Sequence, residues 1–180
     1  DVGWPKTMEP TITPFTTFLS KRETPQKVSL DKLFEPPESF DGGWHRYSSK
    51  AYSKASLHQK TNCPNWKTYN VEWQMAWHGT KLETLYSTIV DGRLSDSTKS
   101  EGRRILDGKP GVYMMSDLRR DKALFYARYI CLLNDGIVYR AMWELMTDRT
   151  ASVSSGNDQW IAPADSTKIV ALWIQAQSYK

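Results

Sequence analysis

The sequence is short of the residues that most metal centres and nucleophilic sites need. It has two cysteines, Cys63 and Cys131, and three histidines in 180 residues. The cysteines show no metal-ligand spacing, and one pair does not make a disulfide framework. Cys131 falls in an apolar stretch and is predicted to be a buried thiol. The sequence therefore predicts no metal, and its low cysteine content favours an intracellular location, in cytoplasm or nucleus.

Other absences narrow the class of protein further. No apolar run approaches the ~20 residues that a membrane-spanning helix needs, so no membrane partner is predicted. There is no glycine-rich phosphate loop, and no Ser/His/Asp set is apparent around His45, His58 or His78. With 39% hydrophobic and 24% charged residues, the composition is that of a globular protein, either a monomer or part of a larger chain.

Positive charge and tryptophan are what the sequence has in excess. The net charge of +4 and the pI near 9.0 favour polyanionic ligands, from a dinucleotide to RNA. The eight tryptophans can form a core or can stack on bases. The core interpretation is preferred because several of them fall inside strand-like runs.

Residues 1–70 differ from the rest of the chain. They hold seven of the nine prolines and the Gly42-Gly43 pair, and they show no sustained period. This pattern predicts an irregular N-terminal arm that packs on the domain, with short helical turns such as residues 29–34. Its lysines and aromatic rings leave two interpretations open, a solvated face or a nucleic-acid surface, and the solvated face is preferred.

Residues 71–180 are predicted to form the ordered domain. Alternation over residues 71–77 predicts a strand. Thr80 and Glu83 have the spacing of a capping box, and Leu82, Leu85, Tyr86 and Ile89 then recur at helical spacing up to a stop at Gly92. His78 and Gly79 are therefore expected at a strand-to-helix turn.

The remaining elements predict a sheet with few helices. A polar loop over residues 95–110 precedes a short strand at 111–115 and a helix over 117–133; further strands are predicted at 137–146, 159–162 and 168–174. Because helices are few and not regularly interleaved with strands, the pattern favours an α+β split sheet over a doubly wound one.

The residues around the predicted turn suit a planar ligand. Gly79 allows a flat ring to approach the backbone closely, and the following helix N-terminus adds partial positive charge. Tyr113 and Tyr126, further along the chain, can supply ring faces. A flat ring that carries an amide fits such a place.

Four segments in this order resemble the catalytic domain of the poly(ADP-ribose) polymerases, over roughly residues 71–176. They are Trp77-His78-Gly79-Thr80, Gly92-Arg93-Leu94, Gly111-Val112-Tyr113 and Lys122-Ala123-Leu124-Phe125-Tyr126. The resemblance implies an ADP-ribosyltransferase-like split antiparallel β-sheet and NAD as co-substrate. The arm before residue 71 matches no family.

The resemblance also implies roles for individual residues. His78 would hydrogen-bond a ribose hydroxyl, the backbone of Gly79 would pair with the nicotinamide amide, and Thr80 would approach the ribose. Tyr113 and Tyr126 would enclose the nicotinamide ring, as the tyrosines of that family do. Arg93 maps loosely to an arginine near the adenosine half, because this chain has Gly-Arg-Leu where the family has Gly-Leu-Arg.

The chain departs from the family's pattern at two positions that bear on chemistry. Ala123 stands where a serine usually binds the amide, and Gln159 stands where a glutamate opens a late strand. Glutamine keeps hydrogen-bonding capacity but is neither a base nor a charge, so elongation of a poly(ADP-ribose) chain is not expected. Asp158 and Glu144 are ranked low as substitute acids.

The sequence therefore predicts an NAD-dependent mono-ADP-ribosyltransferase that acts on a protein or nucleic-acid acceptor. The predicted catalytic residues are His78, Tyr113 and Gln159. The alternative is a catalytically impaired module that binds NAD or ADP-ribose, or a partner protein, on the same fold. A related RNA-end-processing phosphotransferase is disfavoured, because Arg103 and Arg104 fall in a loop rather than on strands.

Overall fold

The computed structural model describes residues 30–52, 73–97, 109–131, 136–156 and 158–178. Three α-helices occur in them: α1 (Leu30–Leu33), α2 (Leu82–Asp91) and α3 (Arg120–Leu124). The nine strands are β1 (Glu38–Phe40), β2 (Trp44–Ser48), β3 (Trp73–Thr80), β4 (Val112–Ser116), β5 (Ile130–Cys131), β6 (Ile137–Asp148), β7 (Val153–Ser154), β8 (Gln159–Ala162) and β9 (Thr167–Ser178). Short 3₁₀ turns precede β2, α3 and β9.

All nine strands belong to one antiparallel sheet. Their order is β1-β2-β9-β6-β3-β4-β8-β7, and β5 pairs with β6. The long strands β6 and β9 form the centre, with paired residues from Ile137↔Ser178 to Thr147↔Thr167. A mostly antiparallel sheet with few helices is what the sequence predicts for the α+β class. Among the described helices, none is long and apolar enough to cross a membrane.

Helix α2 has the buried stripe that its sequence predicts. Leu82, Leu85 and Ile89 are buried and pack into the main core with Trp143 of β6. The helix ends at Gly92, whose left-handed backbone (φ 65°) is the conformation that glycine adopts most readily at a helix C-terminus. The spacing of the apolar residues and the position of the stop are both confirmed.

The predicted capping box does not form. Helix α2 begins at Leu82, with Lys81 in the N-cap position and no side-chain cap. Thr80 is the last residue of β3, and its hydroxyl lies 2.7 Å from the hydroxyl of Thr84. His78 and Gly79 are likewise still within β3, paired with Trp143 and Met142, rather than at the turn. The strand runs further than its alternation predicts because pairing with β6 continues to its end.

The helix predicted over residues 117–133 is mostly absent. Helix α3 has five residues, and Ile130 and Cys131 pair with Tyr139 and Val138 of β6 instead. The predicted buried thiol of Cys131 is therefore wrong, since its residue is exposed. Ala123 and Ala127 are buried. Pairing with β6, the next strand along the chain, overrides the local helical spacing here.

The described part of the N-terminal segment is more regular than predicted. The helical turn is present as α1, but β1 and β2 form a hairpin, and β2 pairs with β9 over five residue pairs. Residues 38–48 are therefore part of the sheet and not an irregular arm. The boundary at residue 70 stays a prediction, and Cys63, Trp66 and most of the polar loop with Arg103 and Arg104 lie outside the described residues.

Candidate functional site

The sheet opens between β3 and β4. Strand β3 pairs with β6 over all of its eight residues, but it pairs with β4 at Ala76↔Ser116 and Trp77↔Met115 alone. Beyond Trp77 the pairing between these two strands ends. It divides the sheet into a large group of strands that ends at β3 and a small group that consists of β4, β8 and β7. A separation between strands is a place where a ligand can reach the backbone.

The imidazole of His78 lies at the point where the ladder ends. Its Nδ1 is 2.6 Å from the backbone carbonyl oxygen of Tyr113 on β4. A carbonyl oxygen only accepts hydrogen bonds, so this contact requires the proton on Nδ1. In the neutral ring Nε2 is then the acceptor, which is the form that can receive a hydrogen bond from a hydroxyl.

Gly79 is in close contact with the chain that follows α3. A Cβ atom on Gly79 would lie 1.9 Å from the carbonyl oxygen of Ala123 and 3.0 Å from Cβ of Tyr126. Gly79 does not have a positive φ, so crowding and not backbone conformation requires glycine here. This contact brings Tyr126, which is 45% exposed, to the same end of β3 as His78.

Tyr113 and Gln159 occupy the small group of strands. The hydroxyl of Tyr113 donates to the carbonyl oxygen of Lys109 at 2.6 Å. Gln159 on β8 is paired with Met115, two residues along β4 from Tyr113. Residues two apart on a strand share a face, so Tyr113 and Met115, the partner of Gln159, are on one face of β4.

The amide of Gln159 is buried and engaged. Its side-chain oxygen accepts a hydrogen bond from the hydroxyl of Ser155 at 2.9 Å, and the residue is 9% exposed. One strand, β4, separates it from β3 and His78, which is roughly 10 Å at ordinary strand spacing. The sequence predicted the strand that carries Gln159, but neither its burial nor its Ser155 partner.

Neither of the low-ranked acids can take the place of a carboxylate at Gln159. Glu144 lies three strand spacings from Gln159, roughly 14 Å, and its two oxygens accept from Arg46 and from the indole of Trp173. Asp158 is adjacent in sequence, but its carboxylate pairs with Arg119 at 3.2 Å. Both carboxylates serve structural contacts.

Two of the predicted ligand-binding residues have other partners. Arg93 pairs with Asp165 at 3.0 Å, in a bridge that is exposed on both sides. Asp165 lies in the 3₁₀ turn that follows β8. Thr80 is buried at the end of β3. Their roles toward NAD stay predictions.

A cluster of arginine and tryptophan beside the site was not predicted from the sequence. The guanidinium of Arg120 on α3 lies 4.4 Å from the ring of Trp173, 4.7 Å from Trp77 and 5.5 Å from Trp44. Burial lowers the pKa of Arg120, while the nearby carboxylates of Glu144 and Asp117 raise it. We call Arg120 and these three rings the tryptophan cluster. The sequence signal that could have indicated this cluster is the alternation of Trp44 and Arg46 on β2, which places both side chains on one face of the strand.

No protein-family model matches this sequence, and no curated protein is significantly similar to it. The described residues contain no group of three or more His, Cys, Asp or Glu side chains that could hold a metal ion. The interpretation of the site therefore depends on its own geometry and on the sequence motifs that it contains.

Proposed function

We propose that the chain is an NAD-dependent mono-ADP-ribosyltransferase with a protein or nucleic-acid acceptor. The observation that carries the proposal is the imidazole of His78, which is fixed by the carbonyl of Tyr113 where the β3–β4 ladder ends. Gly79 is the next residue, and Tyr126 contacts it. Three motifs that are far apart in the sequence therefore meet in one place.

Each residue has a defined task in this proposal. Nε2 of His78 accepts from a ribose hydroxyl, the backbone of Gly79 pairs with the nicotinamide amide, and the ring of Tyr126 stacks on nicotinamide. The bond between ribose C1′ and the nicotinamide nitrogen breaks, and its electron pair leaves with nicotinamide. The acceptor's nucleophile then bonds to C1′ of the oxocarbenium-like ribose and loses its proton to solvent.

Gln159 limits what this site can catalyse. Its amide can donate to a ribose hydroxyl while its oxygen accepts from Ser155. It cannot remove a proton from an acceptor, and it offers no negative charge to the developing oxocarbenium. We therefore infer slow transfer of a single ADP-ribose, to acceptors that are nucleophilic without a general base.

The second candidate function is a module that binds NAD or ADP-ribose without catalysis. The observation that favours it is the engaged amide of Gln159, together with the commitment of Glu144 and Asp158 to arginine partners. The same cleft would then hold its ligand with no acid at the reacting carbon.

Labelled NAD separates the two candidates. The chain is incubated with NAD alone and with protein, RNA or DNA, and nicotinamide release, label transfer and the melting temperature are followed. Release with transfer supports the transferase. A raised melting temperature without release supports the binding module, and neither change rejects both.

Replacing His78 by alanine is expected to lower NAD-dependent labelling at least about tenfold, because a buried hydrogen bond to substrate is lost. His45→Ala is the matched control, since that imidazole contacts Ser39 on an exposed hairpin and labelling should be unchanged. Initial rates of nicotinamide release measure both variants. Equal rates for His78→Ala and the unchanged protein would remove His78 from the site.

Replacing Gln159 by glutamate is expected to raise nicotinamide release about tenfold. The carboxylate accepts from the hydroxyl of Ser155, as the amide oxygen does now, and it supplies the charge that stabilises the oxocarbenium-like ribose. Gln159→Ala is the comparison and should lower release. If Gln159→Glu binds NAD and releases no more nicotinamide, then this position does not face the reacting carbon.

A further inference from the structure

A row of apolar side chains next to the candidate site is exposed. The segment from the 3₁₀ turn before α3 to β5, residues 117–131, leaves Leu118, Phe125, Tyr126 and Tyr129 at the surface, and Phe125 is 82% exposed. Single exposed apolar residues are ordinary, but several within one short segment form a patch, and such patches mark interaction surfaces.

The same segment is basic. Residues 117–131 carry four basic and two acidic side chains. Arg128 is exposed, and among the described residues it has no hydrogen bond or ion pair. Rings and arginines also occur together at protein interfaces, but the excess of cations over carboxylates in this segment favours a polyanionic partner.

Further arginines and rings extend this surface onto the sheet. The guanidinium of Arg140 on β6 lies 4.4 Å from the ring of Tyr129 and 5.3 Å from that of Trp44. Burial lowers the pKa of Arg140. The hydroxyl of Tyr129 lies 2.8 Å from the side-chain oxygen of Gln177 and 3.0 Å from that of Gln175 on β9, so its single proton is shared between them and its ring is held in place. We call Phe125, Arg128, Tyr129, Arg140 and Trp44 the aromatic–arginine strip.

We propose that the aromatic–arginine strip binds single-stranded nucleic acid. Bases stack on exposed rings whatever their sequence, and a groove or stripe of cations follows the phosphates; the strip supplies both. Phe125 offers a free ring for stacking, and Arg128 offers an unpaired guanidinium for a phosphate. The mixture of fixed rings and cations fits a polyanion with flat bases better than an apolar protein surface.

The strip adjoins the candidate site through α3. The carbonyl of Ala123 and Cβ of Tyr126 contact Gly79, while Phe125 and Arg128 lie on the same short segment. A strand bound there would lie beside His78. That the bound nucleic acid is also the acceptor of ADP-ribose rests on the proposed function. Binding of the nucleic acid itself requires no NAD.

The test measures binding of the full chain to labelled single-stranded DNA and RNA without NAD. Oligonucleotides of about 12 nucleotides are within the span that one single-strand-binding fold covers, and fluorescence anisotropy follows them. We expect saturable binding of both that weakens with salt. Phe125→Leu should weaken it roughly tenfold, because an apolar side chain remains but the stacking ring is lost. Phe125→Tyr should bind as the unchanged protein does.

The arginine contribution is tested by the salt dependence. Arg128→Ala should reduce the slope of log affinity against log salt by about 0.7, the value for one phosphate contact on a single strand. Arg149→Ala is the control, because it removes the same charge beside Trp160 beyond the far end of β6. Its slope should stay unchanged.

Three results would overturn the proposal. They are no saturable binding by the unchanged protein, equal binding by Phe125→Leu, or self-association of the chain that Phe125→Leu abolishes, which would make the strip an interface between copies. Nicotinamide release, measured separately, decides the proposed function. Binding without release keeps the strip and rejects the transferase, and release without binding does the reverse.

Discussion

Replacing Gly79 by alanine is expected to lower the free energy of unfolding by about 3 kcal/mol, the upper end of what overpacking commonly costs. The added methyl would lie 1.9 Å from the carbonyl oxygen of Ala123. That oxygen is backbone at the end of α3 and cannot rotate away, so the segment with Ala123 and Tyr126 must move off β3. NAD-dependent labelling should be lost with it. Urea unfolding followed by tryptophan fluorescence measures the change.

Gly92→Ala is the matched control for this prediction. Gly92 has a positive φ of 65°, and nothing lies within 4 Å of the place its Cβ would take. The substitution therefore costs only the left-handed backbone of an alanine, about 1 kcal/mol. Gly79 carries no such backbone cost. Equal losses of unfolding free energy for the two variants would show that the backbone of α3 does not contact Gly79 as closely as described.

The elements with local patterns were predictable from the sequence. Alternation and β-branched or aromatic residues located β6, β8 and β9, and apolar residues at helical spacing with a terminal glycine located α2. In these segments the local preference and the final packing agree. Tyr113 and Gln159 lie on such elements and could be assigned to strands in advance, whereas His78 was predicted at a turn and lies within β3.

The segments that were predicted wrongly form strands that pair with the next strand along the chain. The stretch from Ala123 to Cys131 has helical spacing, but Ile130 and Cys131 pair with Tyr139 and Val138 of β6, the next strand along the chain. The β1–β2 hairpin had a usable signal, since Gly42 and Gly43 lie between its strands with positive φ. Glycine pairs between strands are typical of hairpin turns.

The candidate site was predictable in its motifs and not in its contacts. The order of the segments gave His78 and Gly79, but the hydrogen bond to Tyr113 and the approach of Ala123 depend on how β3, β4 and α3 meet. The contacts of the tryptophan cluster were likewise not predictable from the sequence. Its rings come from β2, β3 and β9, which are brought together by sheet order alone.

Beneath that cluster a buried carboxylate organises the sheet. Glu144 accepts from Nε of Arg46 at 2.9 Å and from the indole nitrogen of Trp173 at 2.7 Å. Its side chain is 2% exposed, against 20% for Arg46. Its charge is also one of those that oppose the lowering of the pKa of Arg120 by burial. The side chain of Glu144 on β6 therefore links β2 and β9 through hydrogen bonds from Arg46 and Trp173.

Replacing Glu144 by glutamine is expected to lower the free energy of unfolding by about 3 kcal/mol, the low end for a broken buried pair, because among the described residues Arg46 then keeps the exposed carboxylate of Glu38, 3.8 Å away, as its ion partner. The amide is nearly isosteric, so the loss measures charge and hydrogen bonding rather than volume. Asp165→Asn is the matched control: Asp165 pairs with Arg93 at 3.0 Å, but both side chains are exposed. Such a bridge contributes at most about 1 kcal/mol. Urea unfolding of both variants gives the comparison. A loss for Glu144→Gln no larger than that of Asp165→Asn would mean that solvent screens Arg46 and that the carboxylate does not organise these strands.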